Sequence, residues 1–207
     1  MKNYIITGNP LVKGCIFIKN EQSNLVDKQT IEEAVKGNQK AERLLYDSIS
    51  KSLFMLCLRY LKHQEDAEDV LSSALLKVFR CLDRFEFERE GSFEAWARKI
   101  TVNECLICLR KQKRSPMMVE PDESIAIGIE DVLDKISADE LFVLILQLPE
   151  GYRTVFNLYE IEGYTHPEIS EKLGIGVGTS KSQLSKAKNY LKKLFIANSR
   201  NNASKII

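Results

Sequence analysis

The sequence is short of the residues that most active sites are built from. Its 207 residues contain two histidines, His63 and His166, and a single tryptophan, Trp96. Two histidines exclude a His-rich metal set. No phosphate-cradling glycine loop and no Ser/His/Asp arrangement in a persuasive context is present either. The five cysteines (15, 57, 81, 105 and 108) form no even, closely spaced framework. Four of them lie within apolar helical patterns, which predicts reduced core thiols in a cytoplasmic protein. "CLIC" at 105–108 has the spacing of one half of a zinc site, but it lacks a second pair, and a core role is the favoured reading. The longest apolar run, "LFVLIL" at 141–146, is far too short to span a bilayer. The first twenty residues lack the apolar core of a signal peptide. The residues thus offer no recognisable catalytic set, metal site or cofactor motif.

Charge is present but segregated. The formal net charge is only +1. Arg98 to Arg114 nevertheless holds six bases and one acid, Glu104. Ser115 to Glu140 holds eight acids and one base, Lys135. Lys172 to Arg200 holds seven bases and no acid at all. Two basic blocks flank an acidic one, an asymmetry that the total conceals.

Apolar spacing of three and four residues dominates from Asp27 onward, so the fold class is all-α. The positions 31, 34–35, 41, 44–45, 49, 53, 56 and 60 predict amphipathic helices with a break near Gly37. "EDAEDVLSSALLKVFRCLDRF" predicts a further helix burying Ala67, Val70, Leu71, Ala74, Val78 and Leu82. After the break at "EFEREGS", Ser92 is the expected N-cap of a helix whose buried stripe is Phe93, Trp96, Ile100 and Ile107. Pro116 and Pro121 bracket an acidic, motif-poor stretch. Helical patterns resume at 137–147 and after Pro149. The chain divides into an extension of unknown role (1–27), a helical domain (28–114), a flexible acidic linker (115–136), a second helical domain (137–196) and a tail (197–207).

The second domain ends in a helix-turn-helix pattern. Thr165 and Glu168 form a capping box with Pro167 inside the first turn. The helix buries Ile169 and Leu173 and stops at Gly174, which can take a left-handed conformation. A second helix starts near Gly176 and buries Leu184, Ala187, Leu191 and, in part, Thr179. Its other face carries Lys181, Ser182, Ser185, Lys186 and Lys188. The bland alternative is a helical hairpin with a solvated lysine face. With no acid from 172 onward to pair at i,i+4, that alternative leaves the lysines mutually repelling, and a nucleic-acid face is favoured.

"LPEGYRTVFNLYEIEGYTHPEISEKLGI" with "GTSKSQLSKAKNYL" resembles region 4 of bacterial RNA polymerase sigma factors of the extracytoplasmic-function group. "RYLKHQEDAEDVLSSALLKVFRCLDRFE" and "GSFEAWARKITVNECLICLRKQKR" resemble region 2 of the same group. Order and approximate spacing match over residues 28 to 194. The resemblance implies a non-catalytic subunit, with no cofactor, no metal and no small-molecule substrate, that binds core RNA polymerase, at its clamp helices and flap, and directs it to promoter DNA. It implies a polymerase-facing set of Asp66, Glu68, Asp69, Val70 and Ser73; simple helix capping is the alternative for the acids. For the −10 element it implies Phe87, Glu88, Arg89 and Ser92 around a captured base, with Asn103 in the family pattern beside them. Arg59, Lys62, Arg98, Lys99, Arg110, Lys111 and Arg114 would meet phosphates. For the −35 element it implies Thr179, Lys181, Ser182 and Ser185 toward the groove, with Gln183, Lys186 and Lys188 on the backbone. An anti-sigma factor, in this group often membrane-anchored, is the implied regulator.

Three departures stand out. Gly176 and Val177 replace the usual Ser cap and the acid after it, Ile107-Cys108 replace a frequent Asp-Tyr, and the 27-residue extension is unusual. A free-standing helix-turn-helix regulator accounts for 165–194 alone and leaves the acidic "EDAEDV" helix unused. A nucleic-acid enzyme lacks any supporting catalytic set.

Overall fold

The computed structural model describes residues 26–112 and 137–203, with side chains as far as 198. Its described residues form helices and no strand, in two compact units that divide within the acidic stretch. The 1–27 extension up to residue 25, Arg114, the linker reading and the last four residues lie outside the described residues.

The first unit contains α1 (Lys28–Val35), α2 (Gln39–Leu61), α3 (Gln64–Arg80) and α4 (Ser92–Gln112). Asp27 caps α1 by accepting from the Thr30 backbone N–H at 2.7 Å, and Asn38 caps α2 by accepting from Lys40 at 3.0 Å. The expected break falls at Gly37, whose φ of +83° suits glycine. Its core gathers Ile31, Ala34, Ala41, Leu45, Ile49 and Leu53 with Val78, Leu82, Phe93 and Ala97. Val35 and Leu44, grouped with these apolar positions in the sequence, are about half exposed.

Two expectations about α4 are corrected. Ser92 is already the first helical residue, and the carbonyl that accepts the first intrahelical bond, from Ala95 at 3.1 Å, belongs to Gly91. The buried stripe is also rotated. Phe93, Ala97, Thr101, Val102, Cys105, Leu106 and Leu109 are buried, whereas Trp96, Ile100 and Ile107 lie only partly covered. Trp96 rests against Phe85 and Phe93, at centroid distances of 5.1 and 6.2 Å, so it closes the rim of the core. α4 meets two helices at once, which moves its burial from a single 3.6-period stripe to a wider band. Across the α3–α4 seam, Lys77 Nζ reaches Glu104 Oε1 at 2.8 Å and Gln112 Nε2 donates to Asp66 Oδ2 at 3.2 Å.

The second unit contains α5 (Ala138–Gln147), α6 (Glu150–Phe156), a π-helical turn (Asn157–Ile161), α7 (His166–Leu173) and α8 (Val177–Ala203). Ser137 and Glu140 form a capping box at α5, and Thr165 and Glu168 form the expected one at α7. Leu141, Ile145, Leu148, Val155, Phe156, Leu158 and Ile169 are buried around the α8 positions Leu184, Ala187 and Leu191. Arg153, 5% exposed, donates through Nη1 to the Leu148 carbonyl at 2.9 Å and ties α6 to the preceding turn. α7 ends at Gly174 with φ +65° and ψ +36°, the left-handed cap expected there. Thr179 is exposed; the inward position one residue on is Ser180, with no exposure at all. α8 continues through the segment read as a tail, to Ala203.

Candidate nucleic-acid interface

Of the residues expected to face DNA in the second unit, Thr179, Lys181, Ser182 and Ser185 are exposed on α8. Lys181 and Ser185 are one turn apart, and Ser182 lies beside them, so the three form one outward face. α8 carries no acid in its first turn and none along its length. With the turn closed by Gly174 and the first helix fixed by its capping box, α7, the turn and α8 form a helix-turn-helix.

Gln183, Lys186 and Lys188 are half-buried. The Gln183 amide lies over Gly151, so close that a Cβ there would sit 3.6 Å from Oε1. Lys188 Nζ is 2.7 Å from Oε1 of Glu160, a carboxylate whose side chain is 4% exposed. Lys188, 30% exposed, thus points its charge at Glu160, although the resemblance implies a place for it on the DNA backbone. His166 and Ser180 were absent from that reading. Their side chains meet at 2.9 Å beneath α8, and the His166 ring stacks on Tyr159 at 4.5 Å. The available signal was Glu160 itself, a single acid inside the apolar pattern Leu158–Ile161 that requires a cation partner.

In the first unit, Lys62, Glu88, Arg89, Lys99, Asn103, Arg110 and Lys111 are exposed, and Phe87, Ser92 and Arg98 are half-buried. Lys99, Asn103 and Arg110 follow at i, i+4 and i+11 and so line one side of α4. Phe87 packs against the core, leaving Glu88 to Glu90 as the exposed part of its loop. Gly91, at φ +79°, turns this loop into α4. Arg59 is different: it is 3% exposed inside α2 and so presents no charge to a phosphate, contrary to what the resemblance implies. Lys62 takes a left-handed φ of +72° at the α2 C-terminus, an unusual state for a side-chain-bearing residue.

On α3, Glu68, Asp69 and Ser73 are exposed, while Val70 is 8% exposed and faces the core. Asp66 is half-buried against Gln112. His63, at the N-cap, makes no side-chain capping bond, so the acids of the first turn, Glu65 and Asp66, compensate the helix dipole there. Leu76, not foreseen from the sequence, is 61% exposed one turn beyond Ser73. The resulting face, Glu68, Asp69, Ser73 and Leu76, is acidic at one end and apolar at the other. Among the described residues no group of three or more His, Cys, Asp or Glu could hold a metal ion, and no helix is long and apolar enough to cross a membrane.

These two surfaces coincide with two family models. Residues 45–115 match "Sigma-70 region 2" and residues 138–191 match "Sigma-70, region 4". The chain is 28% identical to the ECF RNA polymerase sigma factor SigW of Bacillus subtilis, over 80% of this chain and 95% of that one. It is 30% identical to the ECF RNA polymerase sigma-E factor of Escherichia coli K12, over 79% of this chain and 91% of that one. Among solved structures it aligns with CnrH in complex with the cytosolic domain of CnrY, covering 83% of this chain and 98% of that one at 23% identity. The TM-score of 0.46 is too low to add to the assignment. On the family models and the sequence relatives, the chain belongs to the extracytoplasmic-function group of sigma-70 RNA polymerase sigma factors.

Proposed function

We propose that this chain is a non-catalytic specificity subunit: it binds core RNA polymerase, carries it to promoters by contacts at the −10 and −35 elements, and helps melt the DNA. One observation carries the reading. A single chain presents, in order, an exposed acidic-to-apolar face on α3 and an acid-free basic face on the second helix of a helix-turn-helix. The first suits a basic protein partner and the second suits phosphates and base edges.

Glu68, Asp69, Ser73 and Leu76 dock the polymerase. Lys99, Asn103, Arg110 and Lys111 on α4, with the Glu88–Arg89 loop, Ser92 and Arg98, serve the −10 element. Lys181, Ser182 and Ser185 read the −35 element, Thr179 stands at the helix start, and Lys186 neutralises phosphate. Lysine is a flexible point charge and a weaker base reader than arginine, so DNA shape supplies part of the −35 specificity. Work of this kind belongs in the cytoplasm, and an anti-sigma factor covering these faces is the expected means of control.

The test is co-migration. The full chain should elute with core RNA polymerase and confer retention of specific duplex DNA that neither component shows alone. Specific binding to duplex DNA without core polymerase, with no co-elution, would favour the free-standing regulator.

A further inference from the structure

Two polar contacts join α8 to the segment just before it. Lys188 Nζ meets Glu160 Oε1 at 2.7 Å, and Ser180 Oγ meets His166 Nδ1 at 2.9 Å. Glu160 is 3% exposed and Ser180 not at all. Their partners are linked to each other, because Tyr159, which stacks on His166, precedes Glu160 in the π-helical turn. Along α8 they stand eight residues apart, about 12 Å at the α-helical rise. Two fixed points separated by two turns define both the direction and the rotation of a rod, which a single contact cannot do. Hydrophobic packing of Leu184, Ala187 and Leu191 tolerates small rotations; a charge contact to the buried Glu160 carboxylate resists them, because breaking it strands that carboxylate without its cation. π-Helical turns are frequent at functional sites and at kinks in helices.

We propose that Glu160 and Lys188 are positioning residues that set the angle at which α8 enters the major groove, and that Lys188 acts through Glu160, with no bond to a DNA phosphate. Moving Lys188 onto a phosphate would abandon a carboxylate inside the protein. The proposal rests on the reading of this chain as a promoter-specificity subunit.

The test uses the full chain assembled with core RNA polymerase. Its probes are a duplex that this holoenzyme selects from a library randomised at the −35 element, and a scrambled duplex. Failure of the unmodified holoenzyme to select any duplex would sink the functional reading itself, before any variant is compared. Given selection, Glu160→Gln and Lys188→Gln should each cut the ratio of selected to scrambled affinity by about tenfold. The slope of log affinity against log salt should stay as it is in the unmodified chain. A phosphate-bound Lys188 predicts the opposite pattern: the slope of Lys188→Gln falls by about one unit, and Glu160→Gln, having lost an acid near DNA, binds both duplexes as well or better. That pattern overturns the proposal. A third variant, Glu160→Leu with Lys188→Met, replaces the pair by apolar groups that preserve folding. It should retain the helical circular dichroism of the chain and still lose discrimination; full discrimination in that variant would also overturn the proposal.

Discussion

His166 Nδ1 lies 2.9 Å from Ser180 Oγ, joining the first residue of α7 to a wholly buried serine on α8. The ring is packed on Tyr159, and the charges facing it are Lys181, Glu160 and Lys188. Burial, and after it Lys181, holds the His166 pKa below the ordinary histidine value of 6.5, with Glu160 opposing and Lys188 adding slightly. The unfolded chain therefore binds this proton more readily than the folded one. The stability contributed is fully present above the ordinary histidine range and is lost as pH falls below it toward the folded value. Unfolding temperature should decline between about pH 7.5 and pH 5.5, and His166→Gln should flatten that decline. In NMR titration, Lys181→Ala should move the His166 midpoint upward.

The α3 face separates docking from folding. Asp69→Lys and Leu76→Glu change exposed positions and should leave stability within about 0.5 kcal/mol while weakening binding to core polymerase. Val70→Ala, beside them but buried, should do the reverse: about 1–3 kcal/mol of stability lost with docking retained in the folded fraction. Calorimetric titration against core polymerase, paired with denaturant melts, distinguishes the two classes.

The helix-turn-helix cap is equally open to test. Thr165 accepts from the Glu168 backbone N–H at 3.5 Å while the Glu168 carboxylate accepts from the Thr165 N–H at 2.7 Å. Thr165→Ala should cost about 1 kcal/mol. Gly174→Ala, at φ +65°, should cost roughly 1–2 kcal/mol. Trp96 is the sole tryptophan and lies in the first unit. Both losses should therefore appear in the circular dichroism transition and leave the tryptophan fluorescence transition in place.

The features readable from the sequence were those written in a few adjacent residues. Thr165 with Glu168, Gly174 at the turn and the apolar triad Leu184, Ala187 and Leu191 need only local chemistry and a 3.6-residue period. The misplaced ones depend on what another element supplies. Ser180 and Thr179 differ by one residue, or 100° of rotation, and the His166 side chain decides which of them can be buried. Arg59 resembles any basic residue near a helix end until α2 is surrounded on the side where it points. A single 3.6-residue stripe groups Trp96 and Ile100 with Phe93, whereas α4 contacts both α2 and α3. The π-helical turn leaves no mark in composition at all, yet it places Glu160 against Lys188.

Cys57 and Cys105 face each other with sulfurs 3.9 Å apart, both wholly buried. The hydrogen bond to Cys57, then burial, pushes the Cys105 thiol well above its usual pKa. Neither sulfur is accessible, and thiolate is the reactive form that Cys105 is kept from, so both should resist iodoacetamide in the folded chain and label once it is unfolded. Among the cysteines of the described residues, half-buried Cys81 should label first, ahead of the equally half-buried Cys108, whose thiol pKa is raised by burial. Mass spectrometry of timed alkylation gives the order.

The most direct test of the whole account is run-off transcription from a promoter template with purified core RNA polymerase. Adding the full chain should produce transcripts from a defined start site that core polymerase alone does not make. Asp69→Lys should abolish them by preventing assembly, and Lys181→Ala should reduce them selectively at promoters that depend on the −35 element. No promoter-dependent transcript from any template, despite a folded chain that binds duplex DNA on its own, would contradict the account.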